Sequence, residues 1–170
     1  MFNHSNHSSN AGSFFSVLIA ALIFLLLLAG VAAAQTCPSA CRGNNTALGP
    51  GALQGNANAT VSASNTAIGF NALQKNDTGG ANTATGANAL QNNITGTFDT
   101  ASGFNALQSN LSGRFNTAIG GDALLSNTVG ERNTASGFDA LRNNATGSGN
   151  TAIGDQALVF NTTGIGNTAI

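Results

Sequence analysis

Asp122 and Asp139 stand 17 residues apart. Two carboxylates brought together by a fold are what general acid and base catalysis needs. Asn71, Asn88 and Asn105 continue the same spacing upstream, so a turn role is the simpler reading of all five: Asn and Asp bend the chain by local hydrogen bonds and tolerate left-handed backbone. A second series, Thr66, Thr83, Thr100, Thr117, Thr134 and Thr151, followed by Thr168, offers a file of hydroxyls able to bind an extended or ordered surface. Cys37 and Cys41 are too few to hold a metal without other ligands, and no His or further Cys follows them. In an exported chain the default is a local disulfide between the two, with a link between neighbouring chains as the alternative. Candidate glycosylation sites are Asn44, Asn58, Asn76, Asn93, Asn110, Asn144 and Asn161, each in Asn-x-Ser/Thr. The last five share one repeat position, which leaves a file of stacked turn asparagines as the other reading. No phosphate loop or calcium roll is present, and Gly164–Asn167 is repeat punctuation with no helix after it. Neither a catalytic constellation nor a cofactor site is expected, and the chain reads as non-enzymatic.

These residues recur because the chain is a repeat. Rungs begin at Asn45, Asn65, Asn82, Asp99, Asn116, Asn133, Asn150 and Asn167, all 17 residues apart except the first, which carries three extra residues in a longer loop between Gly55 and Ser64. A fixed period of this length predicts a solenoid whose rungs contact only their neighbours. The unvarying positions of the rung at Asn65 are Thr66, Ala67, Gly69, Ala72, Leu73, Asn76 and Gly79. The glycines mark corners. Between them, Asn65–Ile68 and Asn71–Gln74 each have the length of a short strand, while a Gly or Asn every few residues breaks any helical stripe. The expected fold is therefore all-β, a parallel β-solenoid or β-roll. Alternation places the fixed Ala inside, and puts the Thr file and the variable Ile/Ser/Thr file together outside. Leu73, Leu90, Leu107, Leu124, Leu141 and Leu158 form the apolar ladder. One Leu and two Ala per rung make a thin core, so stacked asparagines and lateral association are expected to add to it. Phe70, Phe104 and Phe138 repeat every second rung. They either cover the solenoid's own edge or make contacts with other chains.

An apolar segment from Phe14 to Ala34 ends in Ala32-Ala33-Ala34, the pattern of a secretory signal. Residues 1–34 are thus expected to be a signal peptide or an uncleaved signal anchor, 35–44 a short linker with both cysteines, and 45–170 the repeat domain. The chain has 5 basic and 6 acidic residues and a net charge of -1. Scattered basic residues and near neutrality argue against nucleic acid as a partner. Membrane contact is expected only through the N-terminal segment. The location follows as secreted or cell-surface, or else a single-pass membrane protein with an N-terminal anchor. The sequence ends within the first strand of a further rung, as a fragment or as an end that stacks on a partner.

Asn-Thr-Ala-Ile-Gly-Phe-Asn-Ala-Leu-Gln at 65–74, with near copies at 116–125 and 150–159, resembles the head repeats of YadA-like trimeric autotransporter adhesins and of phage tail-fibre proteins. The resemblance covers roughly residues 45–170. It implies a parallel β-roll, three chains side by side, and a surface that attaches to carbohydrate, matrix or other extracellular ligands. The family's stalk and membrane barrel have no counterpart here, and its usual repeat is shorter. The expected function is a structural or adhesive repeat protein. The alternative is an ice- or crystal-binding solenoid that uses the Thr file.

Overall fold

The computed structural model describes residues 44–55 and 63–170. They form a parallel β-solenoid of 17-residue rungs. Its strands are β1 (Thr46–Leu48), β2 (Thr66–Ile68), β3 (Thr83–Thr85), β4 (Thr100–Ser102), β5 (Thr117–Ile119), β6 (Thr134–Ser136), β7 (Thr151–Ile153) and β8 (Thr168–Ala169). They make one sheet in sequence order, β1 to β8, every pair parallel. The register is that of the repeat: Thr66 pairs with Thr83, Ala67 with Ala84 and Ile68 with Thr85. Across the three-residue insertion Thr46 still pairs with Thr66. The predicted signal segment lies outside the described residues.

Each rung contains one strand, and this corrects the expectation of two. The stretch Asn71–Gln74 is a run of turns. Asn71 and Leu73 sit at φ 54° and 50°, and every rung repeats this alternation, down to Gln156 and Leu158 at 55° and 53°. Alternating backbone hands make successive amides bond in different directions. Ala72 N–H donates to the Gly69 carbonyl (3.4 Å) and Gln74 N–H to that of Asn71 (3.2 Å), both within the rung. Asn71 N–H reaches back to Pro50 (2.9 Å) and Leu73 N–H forward to Ala89 (3.0 Å), stitching the rungs together. Left-handed backbone costs a non-glycine residue on the order of 1–3 kcal/mol. At Leu73 that cost is offset by full burial, which contributes about 2 kcal/mol and holds its side chain on the axis.

The interior agrees with the sequence pattern. Ala67, Ala72 and Leu73 are fully buried, and so are their counterparts through Leu141. Two asparagine files complete it. Asn93 donates Nδ2 to Asn76 Oδ1 (2.8 Å) and to the Gly96 carbonyl (3.1 Å). Asn82 donates its backbone N–H to Asn65 Oδ1 (2.9 Å) and its Nδ2 to the same Gly96 carbonyl (2.8 Å). Buried amides satisfied in this way stiffen the stack. The corner glycine is required twice over. At Gly86, φ is 129°, and a Cβ would meet the Gly103 carbonyl oxygen at 2.5 Å, so only a bare backbone lets the rungs close up.

Candidate binding faces

The sheet displays what alternation predicted. In β2 to β7 the Ala points inward, while the Thr before it and the Ile, Thr or Ser after it point outward. Thr66, Thr83, Thr100, Thr117, Thr134 and Thr151 therefore form one in-register file. Leu48, Ile68, Thr85, Ser102, Ile119, Ser136 and Ile153 form a second beside it. Neither file holds a charge. Neighbouring strands lie about 4.8 Å apart and alternate residues along a strand about 6.6 Å apart, so the face is a regular grid of methyls and hydroxyls.

At the corner after the strand stand Phe70, Phe104 and Phe138, each more than half exposed. The small residues Ala87 and Gly121 occupy the rungs between them. A Cβ on Gly121 would come within 3.3 Å of the Phe138 ring. The ring thus leans over its neighbour's bare backbone, which explains the two-rung period, and still leaves a wide apolar edge in solvent.

A third array joins Phe98 and Phe115 to Arg132, a link not drawn from the sequence. Ala81, Phe98, Phe115, Arg132, Gly149 and Gly166 hold one position in successive rungs. The rings of Phe98 and Phe115 stack with centroids 5.2 Å apart and planes 7° apart. Arg132 lays its guanidinium over Phe115, 5.6 Å from the ring centroid. The signal was present in the numbers 98, 115 and 132, but only the glycine corners show that this position faces outward. Beside it, Glu131 sits between Arg114 (3.8 Å) and Arg132 (3.6 Å).

The carboxylates predicted as neighbours are brought together, and a cation lies between them. Arg142 reaches Asp122 at 3.8 Å and Asp139 at 3.4 Å. Asn71, Asn88 and Asn105 pass Nδ2 hydrogen bonds up the same file, the last to Asp122 Oδ1 (3.0 Å). Aspartate has no such donor, so the amide ladder stops there and the guanidinium replaces it. Among the described residues no three His, Cys, Asp or Glu side chains gather as metal ligands.

Asp99 stands inside the solenoid, in the file of Asn82 and Asn116. Desolvation by burial raises its pKa from 3.8 to about 7, against hydrogen bonds from Asn116 and Asn110 that favour the charged form. Asn116 N–H donates to its Oδ1 (2.8 Å) and Asn110 Nδ2 to its Oδ2 (3.1 Å). In adjacent rungs the asparagine at this position donates Nδ2 to a glycine carbonyl, at 2.8 Å from Asn82 and 2.9 Å from Asn116. Ionised Asp99 has no proton for that bond, and the protonated acid restores a donor.

The candidate glycosylation sites separate by position. Asn76, Asn93, Asn110 and Asn144 are fully buried, with every Nδ2 donated within the ladder. Half-buried Asn161 donates to Asn144 Oδ1 (2.8 Å) and Gly164 (3.2 Å). A glycan on these nitrogens and the folded ladder exclude each other, so stacked turn asparagines is the reading this geometry realises. Asn44 is exposed. Asn58, Cys37 and Cys41 lie outside the described residues.

No known protein family, curated protein or solved structure matches this chain.

Proposed function

We propose that this chain is an exported, non-enzymatic repeat protein that presents its strand face for attachment at a cell exterior. The observation that carries the reading is the pair of in-register, charge-free files outside β1 to β8. A grid of identical weak sites suits multivalent contact with an extended carbohydrate or matrix surface, where avidity grows with the number of rungs engaged. The likeness of residues 65–74 to YadA-like heads supports the same function and extends it to a homotrimer. Export rests on the apolar segment ending at Ala34. The test is retention of the purified full chain on surfaces coated with matrix glycoprotein. Replacing Thr100, Thr117 and Thr134 together by Lys is expected to abolish retention while circular dichroism stays unchanged. Retention equal to that of the unaltered chain would overturn the proposal. Light scattering after gel filtration tests the trimer, which requires three times the single-chain mass.

The in-register, charge-free Thr file favours a second reading, binding to ice or another crystal lattice. Thr117→Leu with Thr134→Leu should then remove thermal hysteresis. Hysteresis that survives both changes rules this reading out.

A further inference from the structure

The outer corner file is an interrupted stack. Phe98, Phe115 and Arg132 lie one above another with φ 58°, 58° and 56°, and the next two residues, Gly149 and Gly166, keep nearly the same backbone at 67° and 68°. The geometry of the file continues past Arg132, but its side chains stop. What remains is a shallow, open recess of about 530 Å³ lined by Glu131, Arg132, Ser148, Gly149, Ile165 and Gly166. One side of the Arg132 guanidinium lies against Phe115, and Arg132 is also one of the residues that line the recess. A guanidinium attracts the face of an aromatic ring and pairs with a carboxylate. Charge balance points the same way. Glu131 is shared by Arg114 and Arg132, so two guanidiniums meet one carboxylate and a positive charge is left over. Ser148 Oγ accepts the Glu131 N–H at 3.0 Å and keeps its own hydrogen to donate. Ile165 adds an apolar wall.

From this arrangement we infer that the recess beyond Arg132 is a binding site for a small planar aromatic acid. The ring takes the next position in the Phe98–Phe115–Arg132 stack, and its carboxylate meets the Arg132 charge and the Ser148 hydroxyl. The site is separate from the strand face and stands whether or not that face is adhesive. It predicts its own inhibitor: Phe98 and Phe115 show that this file accepts an aromatic residue at φ near 58°, and no atom within 3.4 Å obstructs a Cβ on Gly149. Gly149→Phe should extend the stack and fill the recess.

The experiment is an amide-resolved NMR titration of the full chain with benzoate. Cyclohexanecarboxylate serves as a probe with the charge but no flat ring, and benzamide as one with the ring but no charge. Benzoate is expected to shift the amides of Arg132, Ser148, Gly149 and Gly166 saturably, while both comparison compounds bind about tenfold more weakly, the scale of one cation–π contact or one charge pair. Gly149→Phe should abolish the response, and Arg132→Gln, which removes both the cation–π contact and the charge, should weaken it about a hundredfold. Should Gly149→Phe fail to fold, Arg132→Gln, a change at an exposed side chain, still decides the matter. Equal response to all three compounds, shifts that do not saturate, or titration unchanged in Arg132→Gln would overturn the inference.

Discussion

The inside of this solenoid and its outer corner obey opposite rules. On the axis each rung repeats the last: Ala67, Leu73 and Asn76 recur unchanged because a side chain in the stack is surrounded by copies of itself, and any change of volume is felt by two neighbours. At the outer corner the same 17-residue spacing runs through Ala81, Phe98, Phe115, Arg132, Gly149 and Gly166. There the neighbour on one side is water, which accepts any shape. Repetition therefore marks what the fold requires, and departures from repetition mark where the surface acquires chemistry. Asp99 is informative because it breaks the rule, being a departure buried in the interior.

The sharpest test of the contrast is a pair of glycine substitutions. Gly86→Ala is expected to cost about 4 kcal/mol or more, since left-handed strain adds to a Cβ forced against the next rung, whereas Gly149→Phe at the outer corner, where nothing crowds the Cβ, should cost only the left-handed strain, about 1–3 kcal/mol. Urea denaturation of the two variants makes the comparison, and equal losses would erase the distinction.

Next in size is the pH dependence that Asp99 confers. Its pKa is 3.8 unfolded and about 7 folded, so between these values the folded chain binds more protons than the unfolded one. Stability is then greatest near pH 4, falls as pH rises toward 7 and levels off above it, by up to about 4 kcal/mol. Asp99→Asn should flatten that slope and stabilise the protein at pH 8, because the amide supplies the donor that an ionised carboxylate lacks. Thermal melts from pH 4 to 8 check the sign. A wild-type protein that gains stability over this range would contradict it.

A smaller pair compares apolar residues inside and outside. Leu107→Ala should cost about 3 kcal/mol, through lost transfer energy and the cavity left between stacked leucines. Phe104→Ala, more than half exposed on its corner, should cost under about 1 kcal/mol.

Much of this was legible from spacing. The rung boundaries, the inward Ala, the outward Thr and the Leu ladder follow from a period of 17 combined with strand alternation, and the structure has each of them. The second half of the rung was not legible. Asn-Ala-Leu-Gln has the length and apolar content of a strand, and nothing in the residue types announces a leucine in left-handed backbone. That conformation is stable only because neighbouring rungs take up the amides it turns outward. The sequons were ambiguous for a related reason. Asn-x-Thr is the same string whether its amide faces solvent or lies in a buried ladder.

The sequence by itself determined the repeat, its register and the residues that must face one another from rung to rung, because identical residues at a fixed interval can stack in only one alignment. Tertiary structure decided that the second half of each rung is a run of turns, which asparagines are walled off from solvent, and that Phe98, Phe115 and Arg132 share a corner with an opening beside it. Those outcomes depend on how the turns aim each side chain relative to the next rung, a relation between backbones that no single rung contains.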